Sequence, residues 1–255
     1  MLFGGALVGL VLGSLRPGAI TGGELGVGDW RAIIADADFL DALRFTVFVA
    51  FTATAASTVI AVLGAALLQR RPRWLRGALT SAVPMPHLVA ASLAVTWLAP
   101  GGLAERMIGR LPFRIIGDSH GLGIIAVYIF KEAPFLMLLA LAAWDQHTRD
   151  LEEVAATLGA GRWARLRDTV LPRVGPPLAA GALIVAAFTL GATEVPLLVG
   201  PTEPDTIATY ALTAVHTDGP VARARATAAL VIVTAIALTL GALAAIVHRR
   251  RTATR

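Results

Sequence analysis

One short string in the chain matches a catalytic pattern. Gly117, Ser119 and Gly121 fit G-x-S-x-G, with His120 directly beside the serine. In hydrolases this pattern needs a strand, a sharp turn and a helix, with a histidine and an acid positioned to activate the serine. Here the string precedes a long apolar segment, and neighbouring residues in sequence are not a triad. Serine chemistry is therefore not predicted. An intramembrane hydrolase built on Ser119 ranks third, below the two functions considered further on.

Other chemistries lack their residues. The chain has no cysteine, so thiolate metal sites and disulfides are excluded. A Walker A motif needs a lysine after a glycine-rich loop, but the only lysine, Lys131, lies inside an apolar segment. We predict no cofactor, no metal site and no enzyme activity in this chain. The five histidines are scattered: His87, His120, His147, His216 and His248.

Composition points to a membrane. Of 255 residues, 56% are hydrophobic and 15% charged, with a mean hydropathy of +0.71. Soluble domains carry about 25% charged residues. The net charge of +5 would suggest nucleic acid in a soluble protein, but here the basic residues follow membrane topology, and no nucleic-acid partner is predicted.

Six apolar segments are visible, and the last five are long enough to cross a bilayer as helices. The first lacks a preceding basic residue and an A-x-A site, and it has Gly5, Gly9 and Gly13 at small-xxx-small spacing. This favours a packed span over a cleaved signal peptide. The segments run over residues 2–15, 40–68, 78–99, 122–144, 178–199 and 222–247.

Loop charge predicts the orientation. Thirteen arginines lie in the two connections after the second and fourth segments and in the C-terminal tail, against eight on the other side, where acidic residues are more numerous. Basic loops stay in the cytoplasm. We therefore expect an all-α, single-domain membrane protein over residues 1–255, with about six spans and both termini inside.

The longest predicted cytoplasmic connection, residues 145–173, has a pattern of its own. Helix formers follow Glu152 and Glu153, and the glycines at 159 and 161 predict a bend. A second short helix is expected over 162–170, ended by Pro172, with Pro176 and Pro177 before the next span. The result is an exposed helix–bend–helix, whose arginines could also serve merely as membrane anchors.

This connection resembles the EAA loop of binding-protein-dependent ABC transporter permeases, the transmembrane subunits of type I importers. The resemblance covers about 128–210 and includes FKEAPF before the loop and LGATEVPLLVGP after it, nearest the polyamine, iron, thiamine and phosphonate group. Val154 replaces the first alanine of the motif, and Thr169 stands where an apolar residue is usual. The matching loop positions are Glu153, Ala155, Ala156, Gly159, Ala160, Leu171 and Pro172.

The resemblance implies a function. These loop residues would form coupling helices that sit in a groove of a separate ATPase, which hydrolyses Mg-ATP and drives the translocation pathway between outward and inward access. Implied partners are two ABC ATPase subunits, a second permease subunit (identical or homologous), an extracytoplasmic solute-binding protein and membrane lipid. The implied solute is small and polar or charged, with polyamine, iron, thiamine or phosphonate-like compounds favoured over sugar.

Charged residues inside the apolar segments are candidates for the pathway. Lys131 and Glu132 fall near the middle of the fourth segment, and Glu194 lies near the outer end of the fifth. Charges at that depth are costly and face a cavity or a partner. Each could instead be neutralised by neighbouring helices or headgroup water. The same residues leave an ion-coupled secondary carrier as the alternative function.

Overall fold

The computed structural model describes residues 34–216 and 220–252, together with residues 5, 9, 11 and 12. Every regular element within those residues is helical, which confirms the predicted all-α class. The helices are α1 (Ala37–Leu68), α2 (Arg73–Leu79), α3 (His87–Leu98), α4 (Leu103–Ile108), α5 (Leu122–Ala143), α6 (Gln146–Thr157), α7 (Arg162–Arg165), α8 (Leu171–Gly191), α9 (Glu194–Val199), α10 (Ile207–His216) and α11 (Pro220–Thr252), with a π-helical turn over Leu166–Val170 between α7 and α8.

Five stretches among the described residues are long and apolar enough to cross a membrane. They are Ala37–Leu68, His87–Ile108, Leu122–Ala143, Arg162–Gly191 and Ala226–Val247. They correspond to the last five predicted segments, although the third and the fifth spans begin nine or more residues away from their predicted starts. The first predicted segment, 2–15, lies outside the described residues except for 5, 9, 11 and 12, which are helical.

The third span starts later than predicted. The sequence suggested a helix over 78–99 with kinks at its prolines, but the chain forms turns from Thr80 to Met85 and α3 begins only at His87. Pro84 and Pro86 account for this, because proline lacks the N–H of a helix hydrogen bond and disfavours helical geometry in the residue before it.

The fifth span starts earlier than predicted. Pro172 does not end a helix: it is the second residue of α8, and Pro176 and Pro177 lie inside the same helix. The π-helical turn directly before α8 is wider than an α-helical turn and shifts the hydrogen-bond register there. Arg173 compensates in part, since its Nη1 donates to the Thr169 carbonyl at 2.8 Å. At the other end, the predicted span is interrupted after Gly191.

The chain divides into two compact units. The first comprises Met1–Ala50, Ala91–Ile125 and Ala187–Thr239. In it, the ring of Phe39 meets that of Tyr210 edge-on, with centroids 6.0 Å apart. The amide of Ile207, the first residue of α10, donates to the Thr46 hydroxyl at 2.8 Å.

The second unit comprises Phe51–Ala90, Ala126–Ala186 and Leu240–Arg255. Its core is built from small residues of α1 against larger ones of α5 and α8. The C-terminal end of α1 is held by Arg76 of α2, whose guanidinium donates to the carbonyls of Leu68 (2.9 Å) and Gln69. The core members include Ala61, Ala65, Leu136, Met137, Trp144, Val170, Val174 and Leu178.

Candidate functional site

The loop predicted to couple transport to ATP begins with a well-capped helix. Asp145 is the N-cap of α6, and its carboxylate accepts hydrogen bonds from the Thr148 amide (2.8 Å) and hydroxyl (2.7 Å). An aspartate cap satisfies amides that have no partner in the helix and favours the positive end of its dipole. α6 packs against α7 and the π-helical turn. The helix thus starts two turns before the glutamates that marked it in the sequence.

The two adjacent glutamates of α6 lie in different surroundings. Glu153 is exposed, with 65% of its side chain accessible, and its only described ion pair is with Arg70 at 3.5 Å. Glu152 is buried, at 9% exposure. Neighbouring residues on a helix point about 100° apart, so one faces out when the other faces in. Because exposed pairs of this kind contribute little to stability, Glu153 is free to contact a partner.

The bend after α6 is a Schellman motif. The Gly159 amide donates to the Ala156 carbonyl and the Ala160 amide to the Ala155 carbonyl, both at 3.0 Å. This pair of bonds requires a left-handed residue just past the helix end, and Gly159 has φ +84°. Four of the seven predicted coupling residues therefore build one bend. A Cβ at Gly159 would meet no atom of the chain within 4 Å, so the structure explains its backbone freedom and shows no close approach.

Two apolar side chains at this bend face outward. Leu158 is 82% exposed and Val154 is 55% exposed. We call these two residues the bend patch. Sequence analysis treated Val154 only as a departure from the motif and did not select Leu158. The signal that would have identified Leu158 was an apolar residue directly before a glycine in a polar loop, because that position lies at the turn of a Schellman motif.

Leu171 and Pro172 occupy a different part of the loop. They are the first two residues of α8, beyond α7 and the π-helical turn, where Leu171 is half-buried and Pro172 exposed. The Leu171 amide donates to the Leu166 carbonyl, which closes the π-helical turn. Their position at the root of the span fits a role in transmitting motion, whereas the bend is formed by the residues before them.

The two charges of the fourth span both have partners. Lys131 is buried, and its Nζ donates to the carbonyls of Ala82 (2.7 Å) and Val83 (2.9 Å). Buried Glu132 is hydrogen-bonded to His87, and the distance between Glu132 Oε1 and His87 Nε2 is 2.8 Å. These contacts favour the packing interpretation over the pathway interpretation for both residues. His87 is hydrogen-bonded, as expected of a packing residue. Glu194 is exposed at the start of α9.

The G-x-S-x-G string forms a helix cap. The Asp118 carboxylate accepts from the amides of His120 (2.9 Å) and Leu122 (3.2 Å), the latter opening α5. Partial burial would raise the pKa of Asp118, but these amide bonds and the contact with His120 outweigh it and lower the pKa. Ser119 and His120 are exposed, with Oγ and Nδ1 3.5 Å apart. No strand precedes them in the described part of the chain, so the elbow geometry is missing.

Comparison with known proteins decides the family. The family model described as "Binding-protein-dependent transport system inner membrane component" matches residues 60–253. The chain belongs to this family. The matched region contains the whole coupling loop, four of the five long apolar helices in full and the end of the first of them. This permease is accordingly a multi-pass protein of the inner membrane and the non-catalytic component of its system, as predicted.

Two curated relatives illustrate the likeness. The inner membrane ABC transporter permease protein YnjC of Escherichia coli is 30% identical over 209 residues, which cover 80% of this chain and 40% of YnjC. The probable sulfate transport system permease protein cysT of Chlorella vulgaris is 27% identical over 169 residues, 64% of this chain and 63% of that protein. The permease thus spans less than two thirds of the length of either relative.

Solved structures share the fold. The crystal structure of a bacterial alginate ABC transporter, in complex with an alginate pentasaccharide-bound periplasmic protein, contains a chain that superposes with a TM-score of 0.77. The match covers 97% of this permease and 88% of that chain at 21% identity. This supports the predicted permease fold. Family membership also favours the permease interpretation over the ion-coupled carrier.

Proposed function

We propose that this permease forms the solute pathway of an ATP-driven importer and couples it to a separate ATPase through α6 and the bend that follows. The carrying observation is the combination of a rigidly capped helix, a glycine-dependent Schellman bend and the exposed bend patch at the same point. Leu158, which is 82% exposed, is the apolar side chain that a partner would cover at this point.

The proposed mechanism needs a rigid contact element. α6 is anchored at its start by Asp145 and along one side by burial of Thr148 and Glu152. On an adjacent face, Glu153 would exchange its exposed pair with Arg70 for a basic group of the ATPase. Movement of the ATPase groove would therefore displace α6 as a unit, and the chain leading through the π-helical turn into Leu171 and Pro172 would carry that displacement to the root of α8.

The partners follow from this proposal. Two ATPase subunits would bind one coupling loop each, the second loop coming from another permease, identical or homologous. An extracytoplasmic solute-binding protein would deliver the solute on the opposite side. The ATPase would bind Mg-ATP and hydrolyse the ATP, since the sequence of this chain has no Walker A motif.

The first test is recovery of the ATPase. The tagged permease is purified from its native membrane in mild detergent, and co-purifying proteins are identified by mass spectrometry. We expect a P-loop ATPase with the wild type. Its recovery should be reduced about tenfold or more with Leu158→Ser, since the apolar contact of one leucine is worth about 1.5–3 kcal/mol.

A matched control separates docking from general damage. Ile108→Ser replaces another strongly exposed apolar residue, 76% accessible at the end of α4, on the side predicted to face outward. It should leave ATPase recovery unchanged. A stable wild-type permease that recovers no ATPase would refute the proposed function, and equal losses in Leu158→Ser and Ile108→Ser would refute the docking site.

For the solute, we propose a small polar or charged compound, with polyamine, iron, thiamine or phosphonate-like compounds favoured over sugars. The name of the sulfate-system relative supports a charged solute. Thermal-shift screening of the co-purified binding protein against these compounds, sulfate and a disaccharide would test this, and a shift with the disaccharide alone would contradict it. Glu194 is proposed to contact the solute, so Glu194→Gln should alter the uptake KM.

A further inference from the structure

A cavity of about 610 Å³ lies between the coupling loop and the end of α1, entirely within the second unit. Its walls come from α1, α6, α7 and the π-helical turn. None of the residues assigned above to the bend, namely those from Val154 to Ala160, lines it. The cavity is therefore separate from the bend patch, although Arg70 in its wall pairs with Glu153. We call it the loop cavity.

Several polar atoms in the walls of the loop cavity have no hydrogen-bond partner among the described residues. They are buried atoms of four lining residues: Gln69 Oε1, Trp144 Nε1, Glu152 Oε2 and Arg165 Nε. Gln69, Trp144 and Glu152 are each more than nine-tenths buried. Buried polar groups are paired in nearly all native structures, and leaving them unpaired is costly. All four atoms are closed off from the cavity as the side chains stand, but they belong to side chains that line it, so a polar ligand there would give them partners once those side chains turn inward.

The chemistry of these walls is mixed. Three arginines, Arg70, Arg162 and Arg165, and the indole N–H of Trp144 are donors suited to a phosphate. Glu152 and Gln69 supply acceptor oxygens, and only Glu152 carries negative charge. The terminal torsions of Glu and Gln side chains are soft, so either free oxygen can turn toward the cavity. A site with both sets fits a ligand that carries an anionic phosphate and a cationic ammonium.

The surroundings of the cavity favour the membrane as the source of such a ligand. Leu67 at the end of α1 and Trp163 in α7 also line it, and both are strongly exposed apolar side chains. The cavity lies where a membrane-spanning helix meets an arginine-rich loop on the predicted cytoplasmic side. Basic pockets between membrane helices at that level bind lipid headgroups, and tryptophan is enriched at the bilayer interface.

We propose that the loop cavity binds the headgroup of a phospholipid with a primary ammonium, the phosphate on Arg162 and Arg165 and the ammonium on Glu152. Such a lipid would brace α6 on the face that carries Glu152, about 100° around the helix from Glu153. The proposal does not depend on the identity of the ATPase or of the solute, because it concerns only groups of this chain and the membrane around it.

The test uses the full permease reconstituted in nanodiscs with equal amounts of phosphatidylethanolamine and phosphatidylcholine, then analysed by native mass spectrometry for retained lipid. The two headgroups share the phosphate, but only ethanolamine has N–H donors. We expect ethanolamine lipid to be retained about tenfold over choline lipid, the ratio expected for one hydrogen bond to a charged group. Glu152→Gln should reduce this preference, and Arg165→Gln should reduce retention of both lipids.

The control is Asp150→Asn, which removes an exposed carboxylate of the same helix that does not line the cavity. It should retain the wild-type preference. A further arm adds soluble O-phosphoethanolamine at the lipid's concentration, which should not displace the lipid. Displacement in this arm would overturn the lipid assignment. Equal retention of the two lipids by the wild type, or an unchanged preference in Glu152→Gln, would overturn the site.

Discussion

The Schellman bend makes Gly159 the position where one added side chain should have the largest effect on coupling. Its φ of +84° is strained for any residue with a Cβ, while open space surrounds the position. Serine there costs only conformational energy, about 1–2 kcal/mol. Gly161, two residues later, has φ −65° and ψ 162° and equally open surroundings. Serine at 161 should cost nothing, because that backbone suits any residue and serine is a good N-cap for α7.

This pair gives a matched experiment. If the bent loop is the form that the ATPase recognises, a cost of about 1–2 kcal/mol lowers its population, and hence apparent ATPase affinity, by up to roughly 5- to 30-fold. Gly159→Ser should therefore weaken ATPase co-purification and ATP-dependent uptake in proteoliposomes. Gly161→Ser should match the wild type in both assays.

Asparagine separates backbone strain from side-chain bulk. Asn adopts left-handed geometry more readily than serine, so Gly159→Asn should recover most of the loss although its side chain is larger. Equal activity of Gly159→Ser and Gly161→Ser would refute the role of the bend. A loss in Gly159→Asn as severe as in Gly159→Ser would refute the backbone argument and indicate that the ATPase approaches this position too closely for any side chain.

Three further perturbations test the fold around the site by unfolding in detergent. Asp118→Ala should cost about 1 kcal/mol, because the carboxylate caps the start of α5. Since the pKa of Asp118 is lowered in the folded state, this stabilisation is present above the ordinary carboxyl pKa and is lost as pH falls through the lowered value. Ser119→Ala should show neither effect. Lys131→Met should cost about 1–3 kcal/mol by removing the ammonium that donates to the Ala82 and Val83 carbonyls, whereas lost uptake at unchanged stability would place Lys131 in the pathway. Gly175→Ala should stabilise α8 by about 1 kcal/mol; Gly64→Ala should gain less, because its Cβ would lie 2.6 Å from a methionine sulfur, and an equal gain would contradict that packing.

The long spans were accessible to prediction because their signal is local. Residues 40–68 and 122–144 are predominantly apolar, and the observed helices Ala37–Leu68 and Leu122–Ala143 differ from them by three residues or fewer at each end. The single-domain organisation and the orientation remain predictions. The bend was also accessible, since glycine in a run of helix formers marks a left-handed helix end.

What sequence could not provide was the rotational phase of short helices and contacts between distant residues. Nothing in the string Glu152-Glu153 reveals which carboxylate faces inward, and the motif resemblance drew attention to the exposed one alone. The proline positions misled for a related reason. Pro176 and Pro177 normally argue against a helix interior, yet the preceding π-helical turn and the packing of α8 on its core outweigh that preference.

The adjacent charges Lys131 and Glu132 have a common explanation in the break that the prolines impose. A turn at Thr80–Met85 exposes carbonyls within an apolar region, where an unsatisfied backbone group is costly and irregular backbone needs protein partners. Lys131 supplies donors to two of those carbonyls, and Glu132, pointing about 100° away, holds His87, the first residue after the break. One side chain thus secures the turn and its neighbour secures the start of α3. Both charges therefore have a structural use at the proline-induced break, which favours support over a translocation path as the reason for their place in a membrane span.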